Sequence, residues 1–171
     1  MTRHPTTRLR TPRLPVPGRL LSVLAVVGAL VLLPLTTVVV TPDAAEAAKP
    51  RVRYAKAAVA ATNARRADHG LRRLHGQRCL QRMAVRQAER MARQRRMYHQ
   101  NLRPVLRRCG LRGVGENVAY GFPTGRSVVN RGWMRSPGHR ANILRPQWRM
   151  VVVAARKGGG RWYACQLFGV R

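Results

Sequence analysis

Apolar side chains recur every three to four residues between Leu80 and about Met97, which is the period of an amphipathic helix. The apolar stripe consists of Leu80, Met83, Ala84, Ala88, Met91 and Ala92. The other face is rich in arginine, and Glu89 on that face is expected to pair with Arg86 and Arg93. An alanine-rich segment over residues 53–69 predicts an earlier helix, with Gly70 at its C-terminal stop.

The second half of the chain mixes strand patterns with short helices. Strands are expected over residues 116–120, 150–157 and 161–169. The triglycine at 158–160 predicts a hairpin loop between the last two strands. Short helices are expected over 125–134 and 137–144, and a loop around 104–113. Helices followed by an antiparallel hairpin predict an α+β domain.

The N-terminal segment has the organisation of an export signal. Residues 1–19 carry five arginines and no acid, and an uncharged run from Leu20 to Thr41 follows. Ala45-Glu46-Ala47 fits the small-residue cleavage pattern, which predicts a signal peptide over 1–47, a short linker over 48–53 and a folded domain over 54–170. The alternative is an uncleaved anchor, because a run of this length also spans a bilayer. The chain is therefore expected to be secreted, or anchored to the outer face of the membrane.

The charge balance is strongly basic. The chain has 34 Lys and Arg against 5 Asp and Glu, a net charge of +29. Such a surface is expected to bind polyanions, although a GC-rich codon bias is an alternative origin of the arginines. Beyond residue 47 the only carboxylates are Asp68, Glu89 and Glu116, so mechanisms that need paired carboxylates have almost no candidates.

The three cysteines, Cys79, Cys109 and Cys165, allow at most one internal disulfide. Their spacing matches neither a redox motif nor a zinc ribbon. The preferred pair is Cys79 with Cys109, because it would tie a predicted helix start to the loop before Gly110. Cys165 would then be a free buried thiol. Three buried thiols that act as small hydrophobic side chains are the alternative.

Three features carry the candidate chemistry: His99 after the second helix, Gly115-Glu116-Asn117 at a strand start, and a run from Trp133 to Leu144. That run reads W-M-R-S-P-G-H-R-A-N-I-L. These features resemble the CAP superfamily in its bacterial SCP-like form. Further residues that fit the resemblance are Asn63, Arg66 and Gly70, and, near the end, Tyr163, Gln166 and Phe168-Gly169. This superfamily comprises the cysteine-rich secretory, antigen 5 and pathogenesis-related-1 proteins. The resemblance covers roughly Tyr54 to Gly169.

The resemblance implies a three-layer α-β-α sandwich with a small central antiparallel sheet and a solvent-facing cleft. In many members two histidines and two glutamates line that cleft, and the histidines can hold a divalent metal such as zinc. The histidines correspond to His99 and His139, and the first glutamate to Glu116. Ser136 stands where the second glutamate belongs. The expected cleft residues are thus His99, Glu116, His139, Ser136 and Asn117, and the expected zinc ligands are His99, His139 and Glu116.

Structural roles compete with these assignments. Glu116 at the start of a buried strand can accept hydrogen bonds from backbone N–H groups or from His139. Asn117 and Asn142 are interpreted as amides that brace loops. The three tryptophans, Trp133, Trp148 and Trp162, are interpreted as core aromatics.

The favoured function is a secreted, non-enzymatic binding module directed at anionic cell-envelope polymers or lipids. The alternative is a metal-assisted hydrolase, protease-like, with zinc at the same cleft. The missing second glutamate counts against it. Nucleic acid is not an expected partner, because the export signal separates the chain from nucleic acid and aromatic residues are few. The protein is expected to be a monomer.

Overall fold

The computed structural model describes residues 44–171, with side chains from Lys49 onward. The predicted leader, 1–47, lies outside these residues except for its last four, which belong to the first helix. The elements in chain order are α1 (Ala44–Ala67), α2 (Arg78–Gln94), α3 (Leu102–Arg108), β1 (Gly113–Tyr120), α4 (Gly125–Ser127), α5 (Pro137–Leu144), β2 (Met150–Gly158) and β3 (Arg161–Val170). A π-helical turn (Val128–Gly132) and a 3-10 turn (Trp133–Arg135) connect α4 to α5. Among residues 44–171, no helix combines the length and the apolar composition needed to cross a bilayer.

The sheet has three antiparallel strands in the order β1-β3-β2. The predicted hairpin joins β2 to β3, and Gly158 pairs with Arg161 across it. Gly159 and Gly160 form the turn at positive φ, +55° and +77°, which is the backbone a tight two-residue hairpin requires. The two-residue turn fixes the register of this hairpin.

Each face of the sheet packs against its own helical layer. In β2, Val151, Val153 and Ala155 face one cluster, while Val152 and Ala154 face the other. The first cluster contains residues of α1 and α5 together with Trp133 and Trp148, and the second contains residues of α2 and α3. Because successive side chains in a strand point to opposite faces, one short sheet serves two cores. The α+β fold and its three layers are as the sequence predicted.

Several predicted boundaries were wrong, for identifiable reasons. Residues 48–53, expected as a linker, are helical and belong to α1. Helix α2 ends at Gln94 because Arg95 adopts a left-handed conformation that terminates it. The expected loop around 104–113 contains α3, which Asn101 caps by accepting a hydrogen bond from the Arg103 N–H. The segment over 125–134 is helical as expected, but most of it forms the π and 3-10 turns.

The Cys79–Cys109 disulfide is present, with the two Cα atoms 5.5 Å apart, and Cys165 is a free buried cysteine. Both predictions are confirmed. The predicted partners of Glu89 were wrong: its carboxylate accepts hydrogen bonds from Nε and Nη2 of Arg156 on β2, at 3.2 and 3.1 Å. Helical spacing points to neighbours on the same helix, whereas this pair ties α2 to the sheet. Trp133 and Trp148 are buried core residues, as expected, and Trp162 is half-buried against the same cluster.

Candidate functional site

The site forms beside β1, at one edge of the sheet, where residues from both helical layers meet. Glu116 on β1 faces the layer of α2 and α3, and His99 lies in the segment between those helices. The Nδ1–H of His99 donates a hydrogen bond of 2.8 Å to Oε1 of Glu116. The side chain of His99 is 60% exposed and that of Glu116 only 1%. The imidazole therefore presents its remaining nitrogen, Nε2, as the atom available to a ligand.

The carboxylate of Glu116 is fully engaged by its neighbours. Oε1 also accepts from the backbone N–H of Gln100 at 3.1 Å, and Oε2 accepts from Gln100 Nε2 at 2.6 Å. The Cys165 thiol donates to Oε2 at 3.4 Å. The expected backbone donor is thus found in Gln100, but the histidine that bonds Glu116 is His99 and not His139. His139 belongs to the opposite layer, where its Nδ1 is hydrogen-bonded to Ser136.

His139 is carried by α5 on the other side of β1. Its Nδ1 shares a hydrogen bond of 2.9 Å with Oγ of Ser136, and its backbone carbonyl accepts from Nδ2 of Asn117 at 3.2 Å. Burial lowers the pKa of His139, and a positive charge on nearby His99 lowers this pKa further. The His139 imidazole is consequently neutral at pH 7. Nε2 is again the nitrogen left for a ligand. In both His99 and His139, Nδ1 is hydrogen-bonded to a neighbouring side chain and Nε2 is the nitrogen that a ligand could reach.

A buried polar chain ties β1 and β3 to the layer of α1 and α5. Asn142 Nδ2 donates to Asn117 Oδ1 at 2.9 Å, Asn117 Nδ2 to Gln166 Oε1 at 2.9 Å, and Gln166 Nε2 to Thr62 Oγ1 at 2.8 Å. The chain runs from α5 through β1 and β3 to α1. Both asparagines are bracing amides, but they brace a strand and a helix and not the loops that the sequence suggested. Because these bonds lie in a low-dielectric interior, they hold the site in one arrangement.

The side chains of Asn142 and Trp133 cover the outer edge of β1. Asn142 Nδ2 also donates to the backbone carbonyl of Glu116 at 3.1 Å, and Trp133 Nε1 donates to the carbonyl of Val118 at 3.2 Å. These contacts satisfy backbone oxygens that an edge strand would otherwise expose. They also explain in part why the W-M-R-S-P-G-H-R-A-N-I-L run is needed: it supplies both donors as well as His139.

The expected zinc ligands do not assemble as a three-residue set. Within residues 44–171 no group of three or more His, Cys, Asp and Glu side chains is placed to hold a metal ion. Zinc sites normally take three or four protein ligands. Both oxygens of Glu116 already accept hydrogen bonds, and its role toward His99 is that of an acceptor that orients the ring. The donor set in this conformation is limited to the two imidazoles.

Sequence reasoning brought His99, Glu116, His139, Ser136 and Asn117 to one region but missed Gln100, Cys165 and Gln166. Gln100 supplies two of the bonds to Glu116, and Cys165 lies beneath the carboxylate. Burial raises the pKa of the Cys165 thiol well above its usual value, and the Glu116 charge raises this pKa further. The thiol thus stays protonated as a donor. Gln100 lies in the irregular segment between α2 and α3, where the sequence has no periodic pattern, and the contacts of Cys165 and Gln166 depend on how β3 pairs with β1.

Each carboxylate among the described side chains already has a cationic or imidazole partner. Asp68 pairs with Arg65 at 3.1 Å, Glu89 with Arg156, and Glu116 with His99. Exposed arginines project from the surface in contrast, and one row of them on α2 comprises Arg78, Arg82, Arg86 and Arg93.

Comparison with known proteins agrees with this architecture. The family model described as "CAP: Cysteine-rich secretory protein family" matches residues 59–168. The uncharacterized protein YkwD of Bacillus subtilis (strain 168) is 32% identical over 116 residues, which are 64% of this chain and 45% of that protein. The chain therefore spans less than half the length of this curated relative.

Solved structures share the fold. An extracellular protein containing an SCP domain from Bacillus anthracis str. Ames has a TM-score of 0.65 at 24% identity, over 77% of this chain and 44% of its own. An outer surface protein from Borrelia burgdorferi has a TM-score of 0.62 at 20% identity, over 68% of this chain and 91% of its own. A cysteine-rich secretory protein from Staphylococcus aureus subsp. aureus Mu50 has a TM-score of 0.61 at 19% identity, over 71% and 40%.

Proposed function

The chain belongs to the cysteine-rich secretory protein (CAP) family, and from this premise we propose that it is a secreted binding module without catalytic activity. Its partners are anionic polymers or lipids of a cell envelope. Electrostatic attraction to the arginine-rich surface supplies most of the affinity, and the His99–Glu116–His139 site is a fixed recognition element beside it.

The main observation behind this proposal is that the domain has too few acidic side chains to pair with its arginines. The full chain has 34 basic residues against 5 acidic ones, and the three carboxylates whose side chains the structure describes each have a partner within the fold. An arginine surface of this kind attracts polyanions over distances of about 10 Å at moderate salt, since the Debye length is of that order. A polyanion outside the domain would supply the missing negative charge.

The state of Glu116 supports binding rather than hydrolysis. A general base must reach the proton that it removes, but the Glu116 side chain is 1% exposed and both of its oxygens accept hydrogen bonds. Ser136 occupies the position of a second carboxylate and bonds His139. The alternative of a metal-assisted hydrolase would therefore need a base that this site does not offer in its present arrangement.

Two separate observations support an extracellular location. Similar structures are described as an extracellular protein and as an outer surface protein. The disulfide between Cys79 and Cys109 is typical of proteins that fold in oxidising compartments. Both support export, in line with the signal-like sequence of residues 1–47.

Binding to an anionic polymer is expected to fall steeply with ionic strength. With six to ten phosphate contacts, the affinity decreases by about 10³ to 10⁵ between 50 and 200 mM salt. The measurement is a set of titrations of the purified domain with a fluorescent polyanion at four salt concentrations. An affinity that stays constant across this range would contradict the proposal, because contacts other than charge would then dominate.

We propose weak zinc binding at the two imidazoles, with the Nε2 atoms of His99 and His139 as the protein ligands. Zinc titration of the untagged domain is expected to show uptake that either His99→Ala or His139→Ala abolishes. His75→Ala, at an exposed histidine elsewhere, is the matched control and should leave uptake unchanged. Equal uptake by the wild type and both site variants would remove these residues as ligands.

A further inference from the structure

A groove of about 700 Å³ runs along the outer side of α5, separate from the histidine site. Pro137, Ala141 and Leu144 lie on one face of α5 and form part of its floor, and Met134 contributes from the preceding turn. His139 and Asn142 lie on the opposite face, toward β1. With eight residues, α5 gives the groove a length of about 12 Å.

Three exposed arginines line this groove. Arg135 precedes the helix, Arg140 lies near its middle, and Arg145 follows its end. The guanidinium of Arg145 lies over the ring of Trp148, 5.5 Å from its centre. Arg140 donates from Nη2 to Nε2 of His69 at 3.2 Å. These contacts orient two of the arginines, and the lining contains no acidic residue.

The inner side of α5 is held firmly in place. Arg66 is buried and donates from Nη1 to the carbonyls of Ile143 and Arg145, at 2.8 and 2.9 Å. Asn117 and Trp148 bond two further carbonyls, those of His139 and Asn142, at 3.2 and 2.9 Å. The groove is thus a preformed surface, and a ligand that enters it does not have to order the helix first.

We propose that this groove binds a linear polyol phosphodiester, with successive phosphates at Arg135, Arg140 and Arg145 and the carbon linkers over the apolar floor. The inference rests on the proposed function and names its ligand class and site. A chain with one negative charge per short linker matches three guanidiniums that lie before, on and after a helix about 12 Å long. Guanidinium groups bind phosphate bidentately, which adds geometry to the charge attraction.

The shape of the surface favours a linear chain over a bilayer. A flat membrane does not fill a recess, and membrane insertion uses protruding apolar side chains. Among the described residues the exposed large hydrophobic side chains are Val52, Met97 and Tyr120, and none of them lines the groove. A flexible polymer can lie in the recess and contact its floor.

The experiment measures binding of a fluorescent glycerol-phosphate oligomer with six phosphodiesters by anisotropy. One groove variant removes charge (Arg135→Gln, Arg140→Gln, Arg145→Gln), and a second, Ala141→Trp, fills the groove with the charge unchanged. The matched controls are Arg82→Gln, Arg86→Gln, Arg93→Gln on α2, and Ala60→Trp at an exposed position of α1. Circular dichroism verifies that each variant is folded.

Both groove variants are expected to weaken binding at least 10-fold, with the controls within about 3-fold of wild type. The charge variant should also reduce the salt slope by about 2, since each lost phosphate contact contributes about 0.7. If the two triple variants weakened binding equally and Ala141→Trp bound like the wild type, the groove would not be the binding site, and the proposed function would still stand. Failure of the wild type to bind any polyanion at low salt would instead overturn the proposed function. A last experiment measures binding to vesicles of phosphatidylglycerol. If the protein bound these vesicles through the groove but did not bind the oligomer, the proposal of a polymer ligand would be wrong and a membrane would be the partner.

Discussion

Replacement of Gly125 by alanine is expected to destabilise the domain by about 3 kcal/mol or more. Gly125 begins α4 and packs directly against the backbone of α1. A Cβ atom at this position would lie 2.0 Å from the carbonyl oxygen of Tyr54 and 2.6 Å from the amide nitrogen of Ala58. Neither backbone atom can rotate away as a side chain would, so the two helices must separate. Urea unfolding followed by circular dichroism measures the change.

The matched control is Gly138→Ala in α5, where a Cβ atom would meet nothing within 4 Å. Alanine reduces the freedom of the unfolded chain at such a position, so this variant is expected to gain about 0.4–1 kcal/mol. Wild-type stability of Gly125→Ala would contradict the close contact of α1 and α4.

Loss of the Cys79–Cys109 disulfide is expected to cost about 3–4 kcal/mol, since the cross-link spans 30 residues and removes loop entropy from the unfolded chain. The bridge joins the first turn of α2 to the end of α3. The measurement compares urea unfolding of the wild type with that of the double variant Cys79→Ala, Cys109→Ala. Under reducing conditions the wild type should lose the same stability.

Two controls make this result specific. The double variant should not respond to the reductant, because its remaining cysteine, Cys165, is unpaired. Alkylation of the denatured, non-reduced wild type should modify one thiol per chain, and three modified thiols would contradict the pairing. A double variant as stable as the wild type would show that the bridge adds nothing to folding.

The sequence predicted correctly those elements in which apolar residues recur at helical or strand spacing over many positions. Helix α2 has seven buried positions at helical spacing, and the β2–β3 hairpin has long alternation around a glycine turn. Helix α3 has only seven residues and one buried side chain, Val105, so no period could indicate it. The start of β1 was missed because Gly113 and Gly115 contribute no side chains to an alternating pattern.

The sequence predicted which residues form the site, but it did not predict which of them are hydrogen-bonded to each other. Resemblance brought His99, Glu116 and His139 together, yet the bonds depend on which face of β1 each side chain occupies. Glu116 faces the α2–α3 layer and Asn117 faces α5, so one residue of difference decides which histidine each of them contacts. The partners on β3, Cys165 and Gln166, depend on the strand order β1-β3-β2, which no local motif encodes.

The covered margin of β1 limits how this protein can engage a peptide. Many extracellular modules bind extended segments by lengthening a sheet, a mode that needs free main-chain acceptors along the outermost strand. Here the indole of Trp133 and the amide of Asn142 already occupy two of those acceptors, at Val118 and Glu116. Recognition at this end of the domain therefore relies on side chains and not on added strands. The same two donors also hinder edge-to-edge pairing of β1 between two copies of the protein.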